Sequence, residues 1–244
     1  RYPEVHQHLL MEVKQHRETQ VQRSPTVDAR AYAENWWLHG KPRPELRAAL
    51  AGLRRYIATV ETSKHRVFQF LDASILPDNM LVCMGLEDSY FLGVLSSRVH
   101  TSWALRAGGW LGVGNDARYS KSRVFDPFPF PDPTDGLKHG IDAVAEELDA
   151  LRKARQAEHP RLTITHMYNV LEKLRAGGPL NDDDERIKSD GLVLILKELH
   201  DKLDALVLDA YGWPADLPDE QVIACLVALS QARAAEERRG LIRW

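Results

Sequence analysis

Apolar residues recur at short, strand-like spacing in three segments of the first half of the chain: 56–60 (YIATV), 67–71 (VFQFL) and 80–84 (MLVCM). Rich in β-branched and aromatic residues and bounded by turn formers, they are expected to be strands. The basic turn ETSKHR separates the first two, and LPDN separates the second from the third. Ahead of them, Val5, Leu9 and Val13 lie one turn apart, which predicts a short helix over 2–16, and a brief helix over 45–53 follows Pro44. Phe91, Leu95, Val99 and Trp103 return to a helical period. AGGWLGVGNDARYS then reads as a glycine-rich loop or hairpin, and FPFP at 128–131 is expected to be extended, because a residue before proline is pushed out of the helical region.

The pattern changes at Pro133. Leu137, Ile141, Val144, Leu148 and Leu151 step by 4, 3, 4 and 3, a seam suited to packing on another helix. Further helices are expected at about 163–175, 184–211 and 219–238; the one at 184–211 stands behind Asp182, Asp183 and Asp184, whose charges suit a helix N-terminus. The fold class that results is α+β: a mixed α/β module with a short sheet and flanking helices, then a helical bundle. The expected division is a helical lead-in over 1–53, a mixed α/β module over 54–133 and a helical domain over 134–244.

Charge sharpens this division. Residues 1–133 carry 17 Lys+Arg against 14 Asp+Glu, and residues 134–244 carry 15 against 21, so a net +3 is followed by a net −6. The first part could face an anion, although +3 is also compatible with an ordinary solvated surface. With 44% hydrophobic and 27% charged residues, the 244-residue chain has material for a buried core. No window is long and apolar enough for a membrane span. Cys83 and Cys225 sit in apolar runs, LVCM and IACL, where cysteine packs as a small hydrophobe, so a reducing cytoplasm is the expected location. An arginine at position 1 and the ending RRGLIRW lead to the expectation that the chain is a piece of a larger protein.

Catalytic patterns are sparse. There is no HExxH, CxxC or GxSxG. His6 and His8 form an HxH without partners spaced to complete a metal site, and GVGND lacks the strand–GxGxxG–helix context of a dinucleotide loop. DSYF at 88–91 lacks the prolines of an amino-methyltransferase loop, and Glu12 with Lys14 has no upstream aspartate for a nuclease. The chain is expected to catalyse nothing alone, with no cofactor or metal of its own.

Two segments combine cations, hydrogen-bonding side chains and aromatics: RRYIATVETSKHR and WLGVGNDARYSKSR. Lysine, arginine and hydroxyl donors suit phosphates, and planar arginine and asparagine suit base edges. On residue types alone, two solvated hairpins are the favoured reading of these segments.

Longer stretches narrow the choice. WWLHGKPRPELRAALAGLRRYIATVETSKHRVFQFLD, LPDNMLVCMGLEDSYFLGVLSSRVHTSWAL, VGNDARYSKSRVFDPFPFPDP and ALSQARAAEERRGLIRW, in this order, resemble the C-terminal region of type IIL (MmeI-like) DNA methyltransferases and restriction–modification enzymes. The resemblance spans nearly the whole chain. It implies a target-recognition domain followed by a helical segment, serving an S-adenosylmethionine-dependent adenine-N6 methyltransferase whose cofactor site and catalytic motif lie upstream. Implied partners are double-stranded DNA and that methyltransferase domain of the same polypeptide. The RYS…FPFP strip is similar to the exit of the recognition domains of type I specificity subunits, where a proline-rich strand hands the chain to a helical spacer. Phe125, Phe128 and Phe130 are then core anchors.

The resemblance also implies where bases are read: the turn TSKHR and the variable loop before RYS. Lys64, Arg66, Asn115 and Arg118 are the principal candidates, with Trp110 and Asp116 behind them and Lys121 and Arg123 as further DNA contacts. Ser97 and His100 could touch phosphate or pack internally, and Trp36 and Trp37 are expected in the core. The alternative from a different class is a helical protein–protein interaction module without direct DNA contact.

Overall fold

The computed structural model describes residues 2–40, 43–111 and 116–242, and the chain forms two units, Arg1–Ala51 and Gly52–Trp244. In the first, α1 (Pro3–His8) passes through a π-helical stretch, Leu9–Lys14, directly into α2 (Gln15–Arg23), so the N-terminal helix runs beyond the expected end at 16. α3 (Val27–Glu34) is capped by Thr26, whose hydroxyl accepts from Ala29 N–H at 3.1 Å, and α4 (Pro44–Leu50) starts on proline. Arg17 ties α2 to the end of α3 by donating to the carbonyls of Tyr32 (3.0 Å) and Asn35 (3.1 Å). The expectation that both tryptophans are core is corrected. Trp36 is half-buried between His6, Lys14 and Trp37, whereas Trp37 touches Trp36 edge-on and stays 53% exposed.

Among the described residues the second unit holds every strand. β1 (Arg55–Val60) pairs antiparallel with β3 (Gln69–Asp72) on one side and β4 (Leu81–Met84) on the other, which places Ile57 between Phe70 and Met84. β2 (Thr62–Ser63), β5 (Gly109–Leu111) and β6 (Asp116–Arg118) form a second sheet in the order β2-β6-β5. Only Glu61 separates β1 from β2, so the two sheets share one run of chain.

The helical period through Phe91 and Trp103 resolves into two helices, α5 (Ser89–Ser96) and α6 (Arg98–Ala107). Ser97 adopts an extended conformation between them, and its hydroxyl caps α6 by accepting from His100 N–H. After α7 (Asp135–Glu158) and α8 (Ile164–Arg175), the single helix expected at 184–211 is likewise two: α9 (Asp182–Asp190) and α10 (Val193–Ala210). They part at Leu192, which has a left-handed φ of 46°. Gly191 precedes it where a Cβ would lie 2.9 Å from the Ile187 carbonyl and 3.1 Å from Met167, so the bend closes onto α8 only with glycine. α11 (Asp219–Glu237) completes the bundle. Among the described residues no helix is long and apolar enough to cross a membrane.

One core unites these elements. Phe68 and Phe70 from the strand side, Leu92 and Leu95 from α5, Ile141 and Leu148 from α7, and Leu196 and Leu203 from α10 belong to the same buried cluster. The change of texture at Pro133 therefore marks a change of element type inside a single unit. Phe128 is buried and meets His100 edge-on at 4.3 Å, while Phe130 packs between Phe91 and Phe125. The strip is neither helix nor strand, and three of its backbone carbonyls are satisfied from three sides. Those of Pro127, Pro129 and Pro131 accept from Ser230 (3.0 Å), Tyr211 (2.8 Å) and Tyr90 (2.8 Å). Prolines supply no N–H for a ladder, so these side-chain donors hold the strip in place.

A second tie runs through polar groups. Arg152 of α7, 1% exposed, donates to the Phe68 carbonyl (2.8 Å) and to the Tyr168 hydroxyl of α8 (3.1 Å). Its neighbour Asp149 accepts from Phe70 N–H at 3.2 Å. α7 thus grips the backbone at β3 by a donor and an acceptor at once.

Candidate nucleic-acid interface

The two basic segments, some fifty residues apart in sequence, meet in the second sheet: Thr62 pairs with Arg118 and Ser63 with Ala117. Beside them β5 places Trp110 opposite Ala117, with the indole 56% exposed. An exposed indole on a strand beside basic side chains is an amphipathic surface of the kind that contacts nucleic acid.

The cations differ sharply in what they do. Arg66 is turned inward. One terminal nitrogen donates to the Val60 carbonyl and to Thr59 Oγ1 (3.2 Å), the other to the Ala117 carbonyl (2.7 Å), and the guanidinium lies 5.2 Å from the centre of the Tyr119 ring. Burial pulls its pKa down to about 10. It is a strut joining β1 to β6, with its donors directed at backbone, and this geometry argues against the reading role expected for it. Arg118 points the other way. It is exposed and paired at 2.6 Å with Glu61, the residue between β1 and β2.

Lys121 and Arg123 are exposed on the π-helical turn Lys121–Phe125 that follows. Lys121 meets Asp126 at 3.2 Å with its side chain 78% exposed, a pairing that solvent weakens. The turn itself is pinned from below, because the Trp103 indole donates to the Val124 carbonyl at 2.9 Å. Asp116 is half-buried and lines a cleft of about 410 Å³ together with Ser63, Lys64, Gln69 and Thr165. Asn115 lies outside the described residues.

Lys64 leans toward the helical part. Its ammonium donates to Asn169 Oδ1 and to Glu172 Oε2 on α8, both at 2.8 Å, and this contact holds the Glu172 carboxyl below its usual range. His65 Nε2 meets the same Asn169 oxygen at 2.8 Å. Ser97 and His100 are fully buried, and His100 Nε2 hydrogen-bonds the Tyr119 hydroxyl at 3.0 Å. Burial, with Arg66 adding to it, pushes His100 down to about 3, so the ring is neutral and internal. That settles the two alternatives in favour of packing.

Glu61, Asn169 and Glu172 are the residues sequence reasoning missed. Glu61 could have been suspected from its place one residue before β2. Nothing local marks Asn169, which is 105 positions from Lys64. Among the described residues no group of three or more His, Cys, Asp or Glu is placed to hold a metal ion. The arrangement offers donors, an indole and a few exposed cations on a rigid two-sheet platform. Donors of these kinds are the ones that meet phosphates and base edges.

Comparison with known proteins agrees with this reading. Residues 1–132 match the family model described as "MmeI, target recognition domain". DNA methyltransferase A of Bacillus subtilis (strain 168) is 26% identical over 159 residues, which is 65% of this chain and 15% of the relative. The solved structure of the type IIL restriction–modification enzyme MmeI in complex with DNA superposes with a TM-score of 0.69 at 21% identity, covering 93% of this chain and 26% of that one. This last likeness establishes the fold, including the helical part beyond residue 132. The chain spans only a minor fraction of either protein's length.

Proposed function

Because the chain belongs, over residues 1–132, to the MmeI target recognition domain family, we propose that it reads double-stranded DNA for a larger restriction–modification methyltransferase. The observation that carries this is the convergence of the two basic segments through β2, β6 and β5 in one sheet, with Trp110 and Arg118 exposed on it and Lys121 and Arg123 exposed on the turn that follows. Lys121 and Arg123 take phosphates, which fix register; Arg118, Lys64 and the loop between β5 and β6, with Asn115 and Asp116, supply base contacts. Arg66 and the phenylalanines hold that platform in shape.

The catalytic share belongs, in this reading, to a methyltransferase domain of the same polypeptide that transfers a methyl group from S-adenosylmethionine to adenine N6 in the cytoplasm. This chain's own contribution is recognition, and it is proposed to bind no S-adenosylmethionine itself. Calorimetry of the chain with that cofactor checks the point, and micromolar binding would contradict it. DNA binding is tested by fluorescence anisotropy of a labelled duplex at several salt concentrations. The expected outcome is weak binding whose log K falls with log salt by about 0.9 per phosphate contact. Binding that ignores salt, or none at low salt, would contradict the proposal.

A further inference from the structure

Resting on the reading above, we propose that Asn169 of α8, outside the residues matched by the family model, is a specificity-positioning residue that aims Lys64 at a base edge. One amide oxygen serves two donors from the recognition turn, Lys64 Nζ and His65 Nε2, each at 2.8 Å. Glu172, one turn further along the helix, takes a second proton of the same ammonium at 2.8 Å. An ammonium has three donors. Two are committed to α8, and the third is left on a side chain that remains 52% exposed.

The consequence is geometric and electrostatic. A free lysine is a flexible point charge suited to any phosphate; a lysine held at two points is an oriented donor. Pairing with Glu172 also cancels most of the charge that would draw Lys64 to phosphate without regard to sequence. A lone exposed ion pair would hold little. Here the acceptors sit on a helix that cannot shift easily. Met167, Tyr168, Val170 and Leu171 on either side of Asn169 are buried, and Thr163 with His166 forms a capping box at its start. The Tyr168 hydroxyl is fixed in turn by His200 (2.8 Å) and Arg152 (3.1 Å). The helical region thus acts as a wall of the recognition turn.

The test selects preferred sites from a randomised duplex library with the 244-residue chain and its variants, beside salt titrations of binding and thermal melts. Lys64→Ala is expected to lose preference at one base pair by roughly fivefold or more, the lower end for a specific base contact. Asn169→Leu should lose preference at that same pair with unchanged salt dependence and little change in melting, and Asn169→Asp, which keeps the acceptor, should retain the wild-type profile. Glu172→Gln should steepen the salt dependence by about one contact, as Lys64 becomes a free cation. A wild-type profile for Asn169→Leu at the pair that Lys64→Ala alters overturns the inference, as does an unchanged slope for Glu172→Gln. A wild-type chain without any preference, or a silent Lys64→Ala, overturns the assignment of the turn itself and this inference with it.

Discussion

Replacing Arg152 with methionine removes the guanidinium that ties α7 to β3 and α8, and its cost can be worked from the contacts. Two hydrogen bonds from a charged donor are lost, to the Phe68 carbonyl and the Tyr168 hydroxyl. Each contributes about 1.5–3 kcal/mol, and the Phe68 carbonyl is left buried without this partner. Removing one member of a buried ion pair usually costs about 3–5 kcal/mol because the other charge is stranded. Asp149 is not stranded: Lys153 stays at 2.5 Å and Phe70 N–H at 3.2 Å, and Arg152 itself is 3.6 Å away. Among the described residues the buried Nε of Arg152 meets no acceptor, so its removal returns part of the loss. Methionine fills most of the volume. The expected net loss is about 3 kcal/mol, measured by urea unfolding followed by far-UV circular dichroism. If Arg152→Met costs under about 1 kcal/mol, the clamp does not hold the strand side to the bundle.

Gly93→Ala puts a Cβ 2.5 Å from Ile141 Cγ2, and α5 must move off α7; a loss of about 1–3 kcal/mol is expected in thermal melts. Acid should destabilise the chain. His100 and His200 are both pushed from 6.5 to about 3, chiefly by burial, so the unfolded chain takes up protons below 6.5 that the folded one refuses. That stability is present above 6.5 and lost as pH falls toward 3. Asp204, raised to about 6 by burial, opposes this below pH 6, leaving a net loss of about 3 kcal/mol between pH 7 and 4.5, to be read from urea midpoints against pH. Lys121→Ala should weaken DNA binding evenly across sequences and flatten the salt dependence by about one contact, and a changed base preference in anisotropy competition would mean that this residue reads bases instead.

The strands and the α7 seam were legible because residue type and period agree there: YIATV and VFQFL each give a strand, and Ile141, Val144 and Leu148 do face the core. Period alone could not find the breaks at Ser97 and Leu192, since the apolar spacing continues across both and the chain is turned by a single residue's backbone. Whole phrases of sequence pointed to the two basic segments, and the pairing of β2 with β6 brings them into one sheet. The direction of each cation was not. Arg66 and Arg118 look alike in a basic segment, and only the carbonyls of Val60 and Ala117 draw one inward while Glu61 holds the other at the surface. Partners from α8 are beyond any local pattern.

Hydrogen–deuterium exchange of the chain with and without duplex DNA at low salt tests the placement of the reading surface most directly. Peptides covering residues 61–66 and 108–123 should gain protection on binding, while α9, α10 and α11 should exchange as before. Protection confined to those three helices, with the two basic segments unchanged, would contradict the account.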